Sequence, residues 1–157
     1  MKRVLRVLGL ALLGAVVLVF LPVITLALLV YGLSRFWVCW RLKAAWPPNV
    51  SGFLAYSESE LWQSRIEQQL IPATAGRIIP INRSKHDWKE NHPHEWRALK
   101  FFSAGGRSMP FGLVIGQWLS VETFAFYEPF VEFKHGNERS LKEMEARFLS
   151  RAAPDAT

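Results

Sequence analysis

Cysteine is almost missing from this chain: Cys39 is the only one in 157 residues. A single thiol excludes an intramolecular disulfide, a CxxC redox pair and a cysteine-based zinc site in one step. Acid is missing from the first fifty residues, which hold Lys2, Arg3, Arg6, Arg35, Arg41 and Lys43 but no Asp or Glu. Charge of either sign is missing from Val7 to Leu33. The chain also lacks an HExxH motif, a GxSxG elbow, a Walker sequence and a GxGxxG loop, the signatures of zinc proteases, serine hydrolases and nucleotide binders. It has no internal repeat and no low-complexity tract.

The bulk charge is misleading without its location. Lys and Arg number 19 against 13 Asp and Glu, a formal charge of +6, and a basic protein invites a nucleic-acid reading. Six of those bases lie in the acid-free first fifty residues, so thirteen bases and thirteen acids are left for the rest. A nucleic-acid binder needs its bases on the folded domain, whereas bases flanking an apolar segment suit lipid headgroups. The expected partners are therefore a bilayer and anionic headgroups near Lys2, Arg3, Arg6, Arg35, Arg41 and Lys43, not nucleic acid.

Residues 1–34 read as a basic N-terminus and a transmembrane helix. Val7 to Leu33 would reach roughly 40 Å at 1.5 Å per residue, enough to span a bilayer with some tilt. Pro22 would break a soluble helix but is tolerated as a kink in a span. Tyr31, Phe36, Trp37, Trp40 and Trp46 beside Arg35, Arg41 and Lys43 resemble an interfacial belt, so residues 35–50 read as a juxtamembrane spacer ending in Pro47-Pro48. Cys39 falls inside it as a small apolar interfacial residue, with S-acylation conceivable in a eukaryote. A cleaved signal peptide is the alternative, but the apolar stretch is nearly twice a normal h-region and lacks an A-x-A-like site. A single-pass protein of a plasma or bacterial inner membrane is expected, and the free amino group tips the charge balance towards an N-terminus inside. The sequons Asn49-Val50-Ser51 and Asn82-Arg83-Ser84 would matter only in a eukaryotic lumen.

Residues 51–151 read as one small α/β domain and 152–157 as a disordered tail. Gly52 to Tyr56 suits a buried strand; Ser57 and Glu60 make a capping box for a helix carrying Leu61, Trp62, Ile66, Leu70 and Ile71 up to Pro72. Arg77 to Asn82 is a second strand, placed at an edge by Pro80. Ser84 and Asp87 repeat the capping spacing, and Pro93 opens a helix bearing Trp96, Leu99 and Phe102, ended by Gly105-Gly106. Phe111 to Gly116 and Val121 to Tyr127 are placed to form a hairpin. Asn137 or Ser140 caps a last helix with a stripe of Leu141, Met144, Phe148 and Leu149 and ion-pair spacings at Glu138/Lys142 and Glu143/Arg147.

This β-α-β-α-β-β-α order, with Met109-Pro110 just before the third strand, resembles the thioredoxin-like fold, whose members carry a cis-proline there. The resemblance is architectural and covers roughly Ser51 to Arg151. It implies a redox-inactive relative, because Ser57-Glu58-Ser59-Glu60 stands where the family has its CxxC. Open α/β domains place sites at the carboxyl ends of their strands, which makes Ser57, Glu58, Asn82 and Arg83 the candidate ligand-binding surface. The resemblance adds Met109 and Pro110.

Other groupings read more simply as structure. His86, Asp87, His92, His94 and Glu95 lack a diagnostic metal spacing, since a proline divides the H-x-H; a solvated loop accounts for them. Ser57 and Ser59 have no oxyanion-hole context. Gly105-Gly106-Arg107-Ser108 could cradle a phosphate but fits a helix C-cap. Glu122, Glu128 and Glu132 are explained by strand alternation towards solvent. With no catalytic set and no implied metal or cofactor, the leading reading is a non-enzymatic, membrane-tethered protein-interaction or scaffold domain whose protein partner is unidentified. The competing reading is an enzyme or small-ligand binder using the strand-end surface without thiol chemistry.

Overall fold

The computed structural model describes residues 2–103 and 109–153, with side chains at residue 18 and from residue 20 onward. The chain divides into two compact units, Met1–Trp37 and Val38–Thr157. In the first, helix α1 (Lys2–Ala45) runs unbroken through Pro22. Leu18, Phe20, Leu21, Val23 and Ile24 are all more than half exposed. A continuous apolar surface of that kind is not stable against water. One stretch, Phe20–Ala45, is long and apolar enough to cross a membrane, a criterion a signal sequence also meets.

The second unit begins within α1. Cys39, Leu42 and Trp46 recur at three- and four-residue intervals, the spacing of one helical face, and all three are buried in the domain core with Val50. The expected spacer over 35–50 is thus corrected: from residue 38 the chain is part of the domain. Tyr31, Phe36, Trp37 and Trp40 are exposed as a belt requires, but Trp46 is not. Cys39, 1% exposed, is a core residue rather than an interfacial one and is inaccessible to acylation. Lys43 donates from Nζ to the Val50 carbonyl at 2.7 Å, closing the turn that leads into the sheet.

Four strands, β1 (Gly52–Tyr56), β2 (Ile78–Asn82), β3 (Phe111–Ile115) and β4 (Val121–Ala125), form one sheet of order β2-β1-β3-β4. β1 and β2 are parallel, while β3 is antiparallel to both β1 and β4. Strand alternation sends successive side chains to opposite faces, so β1 and β3 are buried along their whole length. Phe53, Ala55, Phe111, Leu113 and Ile115 face a layer made by the end of α1 with α4 (Trp88–Asn91) and α5 (Pro93–Phe102). Leu54, Tyr56 and Val114 face a second layer on the other side. That layer consists of α2 (Gln63–Arg65), a π-helical turn (Ile66–Leu70), α3 (Ile71–Ala73), α6 (Tyr127–Lys134) and α7 (Arg139–Ala152). At Gly52 an added Cβ would lie 2.2 Å from the Leu113 carbonyl oxygen, so the central strands come together only because this residue has no side chain.

Several local expectations change. The Ser57/Glu60 box does not form: the helix starts at Gln63, and Ser59 Oγ instead accepts from the Leu61 N–H at 3.3 Å. Pro72 lies near the end of a continuous run of helical backbone from Gln63 to Ala73, and the chain then turns through Ala75 and Gly76 at positive φ. Asp87 precedes α4 but makes no side-chain cap; its carboxylate accepts from Asn91 at 2.8 Å. The fourth strand ends at Ala125, and Phe126 N–H bonds the Pro110 carbonyl at 3.0 Å as the chain enters the unanticipated α6. Glu128 and Glu132 therefore lie on a helix. Ala152 is no tail residue: it ends α7, is buried, and its carbonyl accepts from Ser51 Oγ at 3.4 Å. The proposed stop at Gly105-Gly106 and the Gly105–Ser108 cradle lie outside the described residues.

Leu141 and Phe148 are fully buried under the sheet, with Met144 packed beside them. The Phe148 ring meets those of Phe124 and Phe126 edge-on at 5.2 and 5.5 Å. Truncating Phe148 to alanine is expected to cost about 3–5 kcal/mol in chemical denaturation. Exposed Glu143, on the opposite side of α7, should tolerate alanine with no measurable change in midpoint.

Candidate functional site

The carboxyl ends of β1 and β2 bring four of the six candidate residues together. Arg83 N–H donates to the Tyr56 carbonyl at 2.7 Å, extending the parallel ladder past Asn82. Asn82 Nδ2 donates to Glu58 Oε1 at 3.4 Å, and its Oδ1 accepts from the Ser84 N–H at 2.9 Å. Ser84 Oγ accepts from the Glu58 N–H at 2.9 Å, so Glu58, Asn82 and Ser84 form a closed ring of polar contacts. Ser57 joins through its carbonyl, which accepts from Trp62 Nε1 at 2.9 Å. The Arg83 guanidinium stacks 5.1 Å above the Trp88 ring, and burial there lowers its pKa. These polar groups are largely spent on each other and on backbone.

Met109 and Pro110 lie at the same sheet end, since Phe111 pairs with Ala55. Their peptide bond is cis. Both residues are buried, and the Met109 side chain belongs to the core cluster of Phe53 and Phe111. This end of the sheet thus offers Glu58, Asn82 and Arg83 to solvent, while the Met-Pro pair is a support.

The histidine-rich segment resolves differently. Glu95 is 6% exposed and accepts from Trp46 Nε1 at 2.7 Å, with His92 Nδ1 at 3.9 Å from its other oxygen. Its task is to satisfy the buried indole of Trp46, just past the end of α1. Among the described residues, no group of three His, Cys, Asp or Glu side chains converges as a metal site.

A second polar region lies at the opposite end of the sheet, and sequence reasoning missed it. A groove of about 1000 Å³ is lined by Lys43, Arg77, Arg147 and Arg151, and among the described residues Glu122 is the only acidic one in its lining. Arg147 Nε and Arg151 Nε donate to the two oxygens of Glu122 at 2.7 and 2.6 Å. Burial alone would raise the Glu122 pKa; the two guanidinium hydrogen bonds and their charges outweigh it and hold the carboxyl below its ordinary range. The expected Glu143/Arg147 pair is therefore replaced: α7 turns Arg147 towards β4, and Glu143 pairs with Arg139 at 2.8 Å. Glu138 and Lys142 do pair. Only the i, i+4 spacing of Arg147 and Arg151 was visible beforehand, and it names no partner on another element.

Comparison with protein-family models, curated proteins and solved structures returns no match.

Tyr56 provides a titratable probe of the candidate surface. Its pKa is pushed up from 10.0 to about 12, first by burial, then by the hydrogen bond to Glu67 Oε1 at 3.0 Å and by that group's charge. A raised folded pKa means the native state holds its proton after the unfolded chain has lost it. Stability should be fully present below pH 10 and fall between about 10 and 12. Ultraviolet titration should show a late tyrosinate step that Tyr56→Phe removes and Glu67→Gln shifts to lower pH.

Proposed function

We propose that this protein is a single-pass, membrane-anchored interaction domain on a redox-inactive thioredoxin-like fold. The sheet order β2-β1-β3-β4, the antiparallel β3 and the cis Met109-Pro110 bond ahead of it support the fold reading. The exposed apolar surface of α1 supports retention in a plasma or bacterial inner membrane, with the N-terminus inside and the flanking bases, Lys2 and Arg3 among them, at anionic headgroups.

The observation that carries the interaction reading is Trp118. It stands 99% exposed at the tip of the β3–β4 hairpin. Its φ of 55° and the φ of 56° at Leu119 are left-handed values, which cost a bulky residue energy that glycine or asparagine would avoid. Neither packing nor turn geometry calls for an indole there. Tryptophan, with tyrosine and arginine, is enriched among the residues that dominate protein interfaces, so this hairpin is the contact point for a protein partner. The enzyme reading has less support, because the strand-end polar groups are engaged with one another and the one thiol is buried on the far side of β1.

A photo-crosslinking residue placed at position 118 of the full-length protein in its native membrane should give one discrete adduct. The same residue at exposed position 143 should not. No adduct at 118, or the same products from both positions, would defeat the interaction reading. The protein should remain in the membrane pellet through carbonate and high salt, and should show no disulfide-reductase activity before or after Cys39→Ser.

A further inference from the structure

We propose that the groove at the amino-terminal end of β1 is a binding site for a phosphomonoester. Four cationic side chains meet one carboxylate there, although bases and acids balance across the chain beyond Val50. The cations come from separate segments: Lys43 from the end of α1, Arg77 from the loop entering β2, and Arg147 and Arg151 from α7. Folding has gathered like charges that would otherwise repel, and a bound anion removes that cost.

The side chains are already oriented. Lys43 is held by the Val50 carbonyl, Arg77 Nε by the Thr74 carbonyl at 3.3 Å, and Arg151 Nε by Glu122. Among the described residues, the hydrogen bonds of Arg77 and Arg151 use Nε alone. A guanidinium carries four further N–H donors on its terminal nitrogens, in the planar fork that matches phosphate oxygens. The surplus of positive charge favours a dianionic phosphomonoester over a single carboxylate. A bare phosphate would leave most of the volume empty, and the apolar side chains of Pro48, Val121 and Ala153, none of them buried, line part of the remainder. The ligand therefore carries a phosphate and a partly apolar body. A phosphatidic-acid-like headgroup and a soluble phosphate ester share that chemistry. The site is separate from the Trp118 reading and stands without it.

The test uses the full chain in nanodiscs of zwitterionic lipid, titrated calorimetrically with inorganic phosphate and with water-soluble dihexanoyl phosphatidic acid. Dihexanoyl phosphatidylcholine is the control. Saturable binding of phosphatidic acid alone assigns the lipid source; equal binding of both probes assigns a soluble one. Arg77→Gln should weaken binding about tenfold, since a hydrogen bond to a charged group is worth that much, and Arg77→Lys should restore only part of it, because the charge returns without the planar fork. Glu122→Gln should tighten binding at least about threefold by removing the one opposing charge among the described lining residues. Thermal melts establish that each variant is folded, and crosslinking at position 118 should be unchanged in Arg77→Gln. The proposal is overturned if neither phosphate probe saturates by about 10 mM, if phosphatidylcholine binds as well, or if both substitutions leave affinity unaltered.

Discussion

A four-stranded sheet buried on both sides needs two covering layers, and here one of them borrows the end of the same helix that carries the membrane-length apolar stretch. Cys39, Leu42 and Trp46 fill the surface above Phe53, Leu113 and Ile115 together with α5. The contact is fixed in register by the hydrogen bond from the Trp46 indole to Glu95. A buried carboxyl group left without that donor would bear its desolvation cost alone, so the pairing ties α1 to α5 and makes the last turns of α1 an inseparable part of the domain. Without those turns, the face of the sheet formed by Phe53, Leu113 and Ile115 would lose part of its cover.

The two ends of the sheet use polar groups in different ways. At the carboxyl ends of β1 and β2, Glu58, Asn82 and Ser84 satisfy one another across the loops that leave the strands, which fixes those loops. At the opposite end, cations from three segments share one carboxylate. The same guanidinium chemistry is fully matched elsewhere, where Arg65 pairs with Glu145 through two parallel bonds at 2.8 and 2.9 Å and stacks on Phe133. The contrast between a matched arginine under α7 and unbalanced ones on its outer side is what separates a structural ion pair from a site with capacity to bind.

Much of this architecture is local and could be read before folding. The strand runs Gly52–Tyr56 and Phe111–Ile115 are continuous apolar segments, the helix at Pro93 announces itself by its first residue, and the stripe of Leu141 and Phe148 follows from a 3.6-residue period. Wrong local assignments have local causes too. Ser57 is a good cap in isolation, yet it directly follows the central strand β1, the Glu58 N–H is bonded to Ser84 Oγ, and the helix begins only at Gln63. Phe124-Ala125-Phe126-Tyr127 alternates like a strand, but the bond from Phe126 to Pro110 ends the ladder and starts a helix.

Residue order therefore settled what depends on near neighbours: the apolar helix, the strand segments and the location of net charge. Tertiary structure decided everything that depends on partners far along the chain. Trp46 and Glu95 are 49 residues apart, and Glu122 is 25 and 29 residues from its two arginines. Whether Trp46 lies at an interface or in a core, and whether Arg147 faces Glu143 or a groove, turns on which surfaces the sheet brings together. Periodicity assigns a side chain to a face, but only packing says what that face meets.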